Sequence, residues 1–300
     1  MKAQTKWGWL LAIYLFLAGL GGGAYTAGVL GDFLGWHIGI SKIGILLGFP
    51  SVLLGTIFLI ADLGKPKNFW RAFMKPGTSW IARGTIIISI FMIVNFIHIG
   101  LWIWPFNLLE DSVTARYFIN IVGVIFAFGT MIYTGVLLGA SRPIAFWSTA
   151  MLPLLFLVSA LSTGFMAVIL LSTFAEIGMV DIITLEKLDI KLIIGEIFIL
   201  VLYLYSTQRV PESRASSRLI LRGTVAPLFW IGVALLGLIA PLVLNLLGIF
   251  EFTDAATHTL IIIASICGII GGLILRKVIL AGGIHAPLIA GRFEYGLTNV

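Results

Sequence analysis

The sequence has few charged residues and a single cysteine. Only 11% of its 300 residues are Asp, Glu, Lys or Arg, whereas soluble domains carry roughly 25%. So few charges cannot cover a water-facing exterior, and with 60% hydrophobic residues the composition indicates an integral membrane protein. One cysteine, Cys267, excludes an internal disulfide and also a cysteine-ligated iron–sulfur cluster held by this chain alone.

The apolar residues are arranged in long runs. A run of about 20 such residues is long enough to cross a bilayer as a helix. Eight runs predict an all-α, polytopic helix bundle in which residues 1–300 form a single integral membrane domain. The predicted spans are residues 7–30, 43–61, 81–104, 117–138, 147–171, 188–205, 226–247 and 260–279. The connections are short, and the longest predicted loops are residues 61–80, 172–187 and 206–223.

Lysine and arginine are concentrated on one side of this predicted bundle. With eight spans both termini share a side, which then carries 15 of the 19 Lys and Arg residues against 4 on the other. Because cytoplasmic loops are enriched in these residues, both termini are predicted in the cytoplasm and the protein in the cell (cytoplasmic) membrane. This distribution also accounts for the net charge of +6 without a nucleic acid partner.

Aromatic and ionisable residues gather near the predicted cytoplasmic ends of the helices. They are Tyr14, Asp62, Trp80, Tyr133 and Arg142. A quinone head group needs hydrogen-bond donors for two carbonyl oxygens, an apolar or aromatic slot and an ionisable group that relays protons. These residue types favour a quinone site, although Tyr and Trp are also enriched at membrane interfaces and Asp62 also suits the end of a helix.

The positions of the histidines in the sequence do not favour haem binding by this chain. Haem b needs His ligands inside the bundle, on facing helices. His37 and His258 are predicted near the outer face and His285 in the C-terminal tail, so that His98 and His258 are the only conceivable pair. We therefore predict that this chain binds no haem and no metal.

Several short motifs follow one another along the chain. They are the first-helix stretch from Tyr14 to Gly23, the turn from Asp62 to Pro66, Ser79-Trp80, Tyr133-Thr134-Gly135 and Arg142-Pro143. In order and spacing they resemble the NrfD/PsrC type of polysulfide reductase membrane subunit, over nearly the whole chain. The resemblance implies a membrane anchor that exchanges electrons between a quinone, with menaquinone expected, and an iron–sulfur subunit. It also implies a molybdopterin catalytic subunit in the same complex.

The resemblance further implies roles for individual residues. Tyr133 is carried over as the tyrosine beside the quinone, and Asp62 occupies a position that is often acidic or histidine. Tyr14 stands where some relatives have histidine, and with Trp80 and Arg142 it completes the expected quinone site. Tyr133 and Tyr14 are expected to hydrogen-bond the head group, and Asp62 is expected to relay protons.

One acid lies clearly inside a predicted span. Glu196 is that residue, and ionisable side chains within membrane spans are functional candidates by default. Ser162 and Asn95 are expected to extend a polar path from it, since the family resemblance also implies coupling of quinone chemistry to proton movement. The alternative for Glu196 is a carboxylate close to the outer face that is paired with another group or reaches towards water.

Two other classes of function stay open. A secondary transporter of a small solute or ion would use a polar site near the midplane, with discontinuous helices around it. A purely structural anchor would have no quinone site. Most of the candidate residues lie at one face instead of the midplane, which favours a quinone site over a transport site. The family resemblance implies that the quinone site and the iron–sulfur partner share this face. Because the face is the basic one, we expect the redox partners on the cytoplasmic side.

Overall fold

The computed structural model describes most of the chain. The residues described are 8–63, 66–74, 76–103, 105–106, 108–110, 112–140, 144–175, 177, 179–250, 254–284, 288–290 and 293–295.

The chain folds into helices that follow the predicted runs. In order along the sequence they are α1 (Trp9–Leu34), α2 (Ile38–Ala61), a 3-10 segment (Pro66–Phe73), α3 (Trp80–Trp102), α4 (Val113–Gly139), α5 (Met151–Phe174), α6 (Met179–Ser206), a 3-10 turn (Thr207–Arg209), α7 (Pro211–Arg222), a π-helical segment (Leu228–Ile239), α8 (Ala240–Phe250) and α9 (Asp254–Ala281). Near the C-terminus, β1 (Leu288–Ala290) and β2 (Phe293–Tyr295) form one short antiparallel pair. The predicted helical fold is thus confirmed for the described residues up to α9.

Seven of the eight predicted spans coincide with helices that are long and apolar enough to cross a membrane. They are α1 to α5, residues Leu228–Gly248 and residues Thr257–Ala281. The remaining predicted span, residues 188–205 and sixth in order, lies within α6, which is 28 residues long. Asp189, Lys191 and Glu196 make this stretch too polar to count with the other seven. A crossing by α6 therefore stays a prediction.

Some boundaries and loops differ from the prediction. The 3-10 segment lies in the predicted loop 61–80, α6 begins at Met179 instead of residue 188, and α7 lies in the predicted loop 206–223. α7 is an amphipathic helix with Pro211 in its first turn and Ile220 on its buried face. A search for unbroken apolar runs misses such a helix, because only one of its faces is buried.

Helix α1 lies at the centre of the bundle and packs against α2, α4, α5 and α9. Glycines permit the close approach. Gly23 meets Ala160 and Gly164 of α5, and Gly28 meets Gly44 of α2, so closely that a Cβ atom on either glycine would overlap the neighbouring backbone. Small residues of this kind let membrane helices pack without intervening side chains.

The π-helical segment packs against α9 through a second pair of glycines. A Cβ atom on Gly237 or Gly271 would overlap the backbone of the other residue. π-Helical geometry is rare and is found frequently at functional sites. Here the segment brings Val233 and Leu238 beside the small cavity described below.

Candidate functional site

Two tyrosines from different helices come together in the core. Tyr14 of α1 is 1% exposed and Tyr133 of α4 is 6% exposed. Both side chains belong to the same hydrophobic cluster in the core. Among the described residues neither hydroxyl has a hydrogen-bond partner. Toward the described residues, both hydroxyls therefore keep unused hydrogen-bonding capacity.

The position of the Tyr133 ring depends on a glycine. The ring lies directly against Gly84 of α3, where a Cβ atom would overlap it. On the other side of the pair, Gly55 of α2 faces the backbone of Tyr14, and Leu11 is buried one turn before Tyr14. The tyrosine pair therefore lies where α1 to α4 meet, in largely apolar surroundings.

The other residues predicted for this site lie outside the buried pair. Asp62 follows the last turn of α2 and is exposed. It is seven residues beyond Gly55, which is about 10 Å along a helix, so it lies nearer the membrane face than Tyr14. Trp80 is 49% exposed, with the Arg83 guanidinium 4.8 Å from its ring centre. Arg142 lies outside the described residues.

A second buried polar site surrounds Glu196. Glu196 of α6 is 5% exposed and lies beside Ser159 of α5 and Arg276 of α9. Arg276 is completely buried. Its guanidinium donates to Ser159 Oγ, to the Phe156 carbonyl at 3.2 Å and to the Gly272 carbonyl at 3.3 Å. The predicted intramembrane acid thus has a cationic neighbour in the bundle core.

This second site continues along α6 towards its N-terminus. The Ser162 hydroxyl donates to Asp189 Oδ1 at 2.7 Å, and Asp189 is fully buried. Glu186 is also buried, and both of its carboxyl oxygens lack a partner in the described part of the protein. These two acids share one face of α6 with Glu196, because residues three and seven apart return to the same side of a helix.

A small cavity is lined both by Ser162, the partner of Asp189, and by Ser159 and Glu196. Its volume is about 10 Å³, and its polar lining consists of Ser159, Ser162, Thr163 and Glu196. That volume holds about one water molecule, which needs two to four polar partners. A single water there would join the Asp189–Ser162 pair to Glu196 and, through Ser159, to Arg276.

Asn95 lies in a different interface. With its amide oriented to satisfy both groups, Asn95 donates to the Ile45 carbonyl at 3.0 Å and accepts from the Phe49 amide at 2.8 Å. An uninterrupted α2 would join these two backbone groups to each other, and Pro50 follows directly. Side chains that enter a helix ladder in this way accompany kinks. The contacts of Asn95 therefore fit a structural role in α2.

A third polar cluster ties the other ends of α1, α3 and α4 together. The Tyr25 hydroxyl hydrogen-bonds His98 Nδ1 at 3.0 Å, and the His98 ring stacks on Trp102. Arg116 donates to Asp32 at 3.0 Å. The backbone of Gly123 leaves room for the Tyr25 hydroxyl. The sequence indicates His98 only as a haem candidate and does not indicate its tyrosine partner.

Several members of the Glu196 site are not predicted from the sequence, among them Arg276 and Asp189. Both lie near the ends of predicted spans, and Arg276 counts as one of the 15 residues of the basic side. The available signal was position: Arg276 stands inside the last apolar run, residues 260–279. Charged residues within such a run face the bundle interior and pair with each other.

Comparison with known proteins supports one family. A profile of the polysulphide reductase NrfD family matches residues 1–287. The C chain of polysulfide reductase from Wolinella succinogenes is 31% identical over 80% of this protein and 82% of the relative. Protein NrfD of Escherichia coli K12 is 26% identical over 92% and 94%, respectively. The C subunit of selenate reductase from Mesobacillus selenatarsenatis is 23% identical over 81% and 67%.

Proposed function

The chain belongs to the polysulphide reductase NrfD family, and on that basis we propose that it is the quinone-reactive membrane subunit of a multi-subunit respiratory oxidoreductase. Two relatives are named as components of a polysulfide reductase and of a selenate reductase. Seven apolar helices of membrane-spanning length make this protein a multi-pass membrane protein, which suits the anchor of such a complex.

The observation that supports a quinone as ligand is the pair of core tyrosines with unused hydroxyl groups. Tyr14 and Tyr133 lie together in the core, and neither hydroxyl has a partner among the described residues. A phenol hydroxyl donates one hydrogen bond, and a quinone head group offers two carbonyl acceptors. The apolar surroundings contributed by Leu11 and Gly84 suit its ring.

In the proposed reaction the protein holds the quinone while two electrons and two protons convert it to the quinol, or while the reverse reaction occurs. Tyr133 and Tyr14 orient the head group through its carbonyl oxygens. Asp62 is exposed near the membrane face, where it exchanges protons with water. Menaquinone is the expected substrate. An iron–sulfur subunit supplies or accepts the electrons one at a time and links this protein to a molybdopterin catalytic subunit.

We also propose that Glu196 and Ser162 belong to a proton path within the bundle. The cavity of about 10 Å³ beside them supports this assignment, because it has room for about one bridging water. Asp189 and Arg276 extend the path at its two ends. Asn95 is left out of this proposal, since its contacts are with the α2 backbone.

The same cavity bears on the transporter alternative. A solute site near the midplane is expected to enclose a substrate, and the π-helical segment would suit the discontinuous helices of such proteins. A volume of about 10 Å³ accommodates about one water molecule, which can pass on a proton, but no larger solute. The Glu196 site therefore supports proton movement better than solute transport.

We further propose that all eight predicted segments cross the membrane, that both termini are cytoplasmic and that the redox partners bind the cytoplasmic face. The support is the distribution of 15 Lys and Arg residues against 4. Single cysteines in a Cys267→Ala background test this topology at two exposed positions, Thr78 and Ser112. In intact cells a membrane-impermeant maleimide is expected to label Ser112→Cys fully, and Thr78→Cys only after permeabilisation. The reverse pattern would place the partners outside.

A further inference from the structure

An open groove lined by two arginines lies beside α7. Its volume is about 600 Å³. Arg218 and Arg222 contribute the charged part of its lining, and Leu219, Leu221 and Ile284 contribute the apolar part. The groove is separate from both the tyrosine pair and the Glu196 site, since it shares no lining residue with either.

The two arginines are free to bind an anion. Both are exposed or half-exposed, and neither has a hydrogen bond or an ion pair in the described part of the protein. Arg214, one turn earlier, differs: its guanidinium donates twice to the Gln208 carbonyl, at 3.1 and 2.8 Å. Arg218 and Arg222 are four residues apart on a helix, which places their Cβ atoms about 5–6 Å from each other. Two guanidinium groups at that spacing suit one phosphate between them.

The groove lies at the level where lipid head groups are found. Trp230 stands near the start of the apolar helix Leu228–Gly248 and is 55% exposed. Its indole Nε1 donates to the Leu221 carbonyl at 3.1 Å, so it touches the backbone that forms the groove. Tryptophan is enriched at the boundary between hydrocarbon and water. The groove therefore opens at the end of a membrane-spanning helix, and its lining combines two arginines with apolar residues.

We propose that this groove binds an anionic phospholipid, with the phosphate between Arg218 and Arg222 and the acyl chains against Leu219, Leu221 and Ile284. A free anion would use the arginines but not the apolar lining. A lipid uses both, and the combination of the two linings at this depth favours it. The bound lipid would hold the amphipathic helix α7 against the membrane surface. The groove lies on a different surface from the tyrosine pair, so lipid binding there does not depend on a quinone site.

The test measures lipid binding to the full-length protein in detergent by native mass spectrometry. Phosphatidylglycerol is the probe, with phosphatidylcholine as the neutral comparison. Arg218→Gln/Arg222→Gln is expected to weaken phosphatidylglycerol binding about 30-fold, since each arginine near the surface contributes about fivefold. The control, Arg209→Gln, removes one charge from a neighbouring exposed position that does not line the groove and is expected to bind as the wild type does.

Several outcomes would overturn the proposal. They are equal binding of phosphatidylcholine and phosphatidylglycerol, an unchanged affinity in the groove variant, and an equal loss in the control. Full displacement of the lipid by millimolar inorganic phosphate would assign the groove to a free anion. If the double variant does not fold, the single variants Arg218→Gln and Arg222→Gln serve instead, each with a loss of about fivefold expected.

Discussion

Replacing Tyr133 with phenylalanine is expected to slow quinone turnover about ten- to a hundredfold while the complex stays assembled. The substitution removes one hydroxyl, and a lost hydrogen bond to the reacting substrate of about 1.5–3 kcal/mol corresponds to this range. The ring itself still fits against Gly84, so packing is preserved. Steady-state turnover of the purified complex with a soluble quinol or quinone analogue measures the effect.

Matched variants separate the hydroxyl from general damage to the helices. Tyr117→Phe changes the same chemical group on α4, at a ring that contacts Phe33 instead of the buried pair, and is expected to leave turnover unchanged. Gly84→Ala would force the Tyr133 ring away and is expected to slow turnover at least tenfold, since a displacement of about 1 Å can cost about 100-fold. Gly100→Ala on the same helix meets no atom within 4 Å and serves as its control. Normal turnover in Tyr133→Phe would exclude a role for this hydroxyl.

Replacing Glu196 with glutamine is expected to destabilise the protein by about 3 kcal/mol. Removing one partner of a buried charged pair typically costs about 3–5 kcal/mol, because the other charge is left uncompensated. The lower end applies here, since Glu196 and Arg276 are linked through Ser159 and do not form a direct ion pair among the described residues. Arginine keeps its proton in proteins, so Arg276 cannot escape the cost by becoming neutral.

Replacing Arg276 with methionine is expected to destabilise the protein less than Glu196→Gln does. In Arg276→Met the remaining Glu196 can take up a proton and become neutral, which limits the cost of its burial. The double variant Glu196→Gln/Arg276→Met leaves no buried charge at these two positions and is expected to recover most of the stability lost in Glu196→Gln. Denaturant unfolding in detergent measures the three variants, and the double-mutant cycle isolates the coupling. Equal losses in the two single variants, with no recovery in the double variant, would contradict a charge pair.

The convergence of Tyr14 and Tyr133 could be expected from the sequence, and their environment could not. Both lie about two turns from the same predicted face, and helix length with loop order alone brings them to one level. The contact of the Tyr133 ring with Gly84 depends on how α3 and α4 cross. Crossing angle and axial register are set by side-chain packing along the whole interface, which a single apolar run does not reveal.

For the Glu196 site, too, one part could be predicted from the sequence and the rest could not. Glu196 stands out in the sequence as an acid inside a predicted span. Its neighbours come from α5 and α9, about 40 and 80 residues away along the sequence. Hydropathy treats Arg276 as a residue near the end of a helix, and only the packing of α9 against α5 shows that its guanidinium is buried. Periodicity of the acids on α6 was available from the sequence.

Asn95 illustrates why polar residues within spans need a structure before a role is assigned. On the sequence alone it resembles Ser162, since both are polar residues in apolar helices. Ser162 binds the carboxylate of Asp189 beside the cavity, whereas Asn95 binds two backbone groups of α2 next to Pro50. A proline removes a backbone donor and disturbs the preceding turn. The need for a side chain at that turn is a property of α2, and nothing near Asn95 in the sequence indicates it.

The position of the quinone is tested most directly by photolabelling. A photoreactive azido-menaquinone analogue is bound to the purified full-length protein in its complex, irradiated, and mapped by peptide mass spectrometry. A site at the tyrosine pair predicts label on peptides of α1, α3 and α4 that contain Tyr14, Gly84 or Tyr133, and loss of that label when unmodified menaquinone competes. Competable label confined to α5 to α9, around Glu196, would contradict this site.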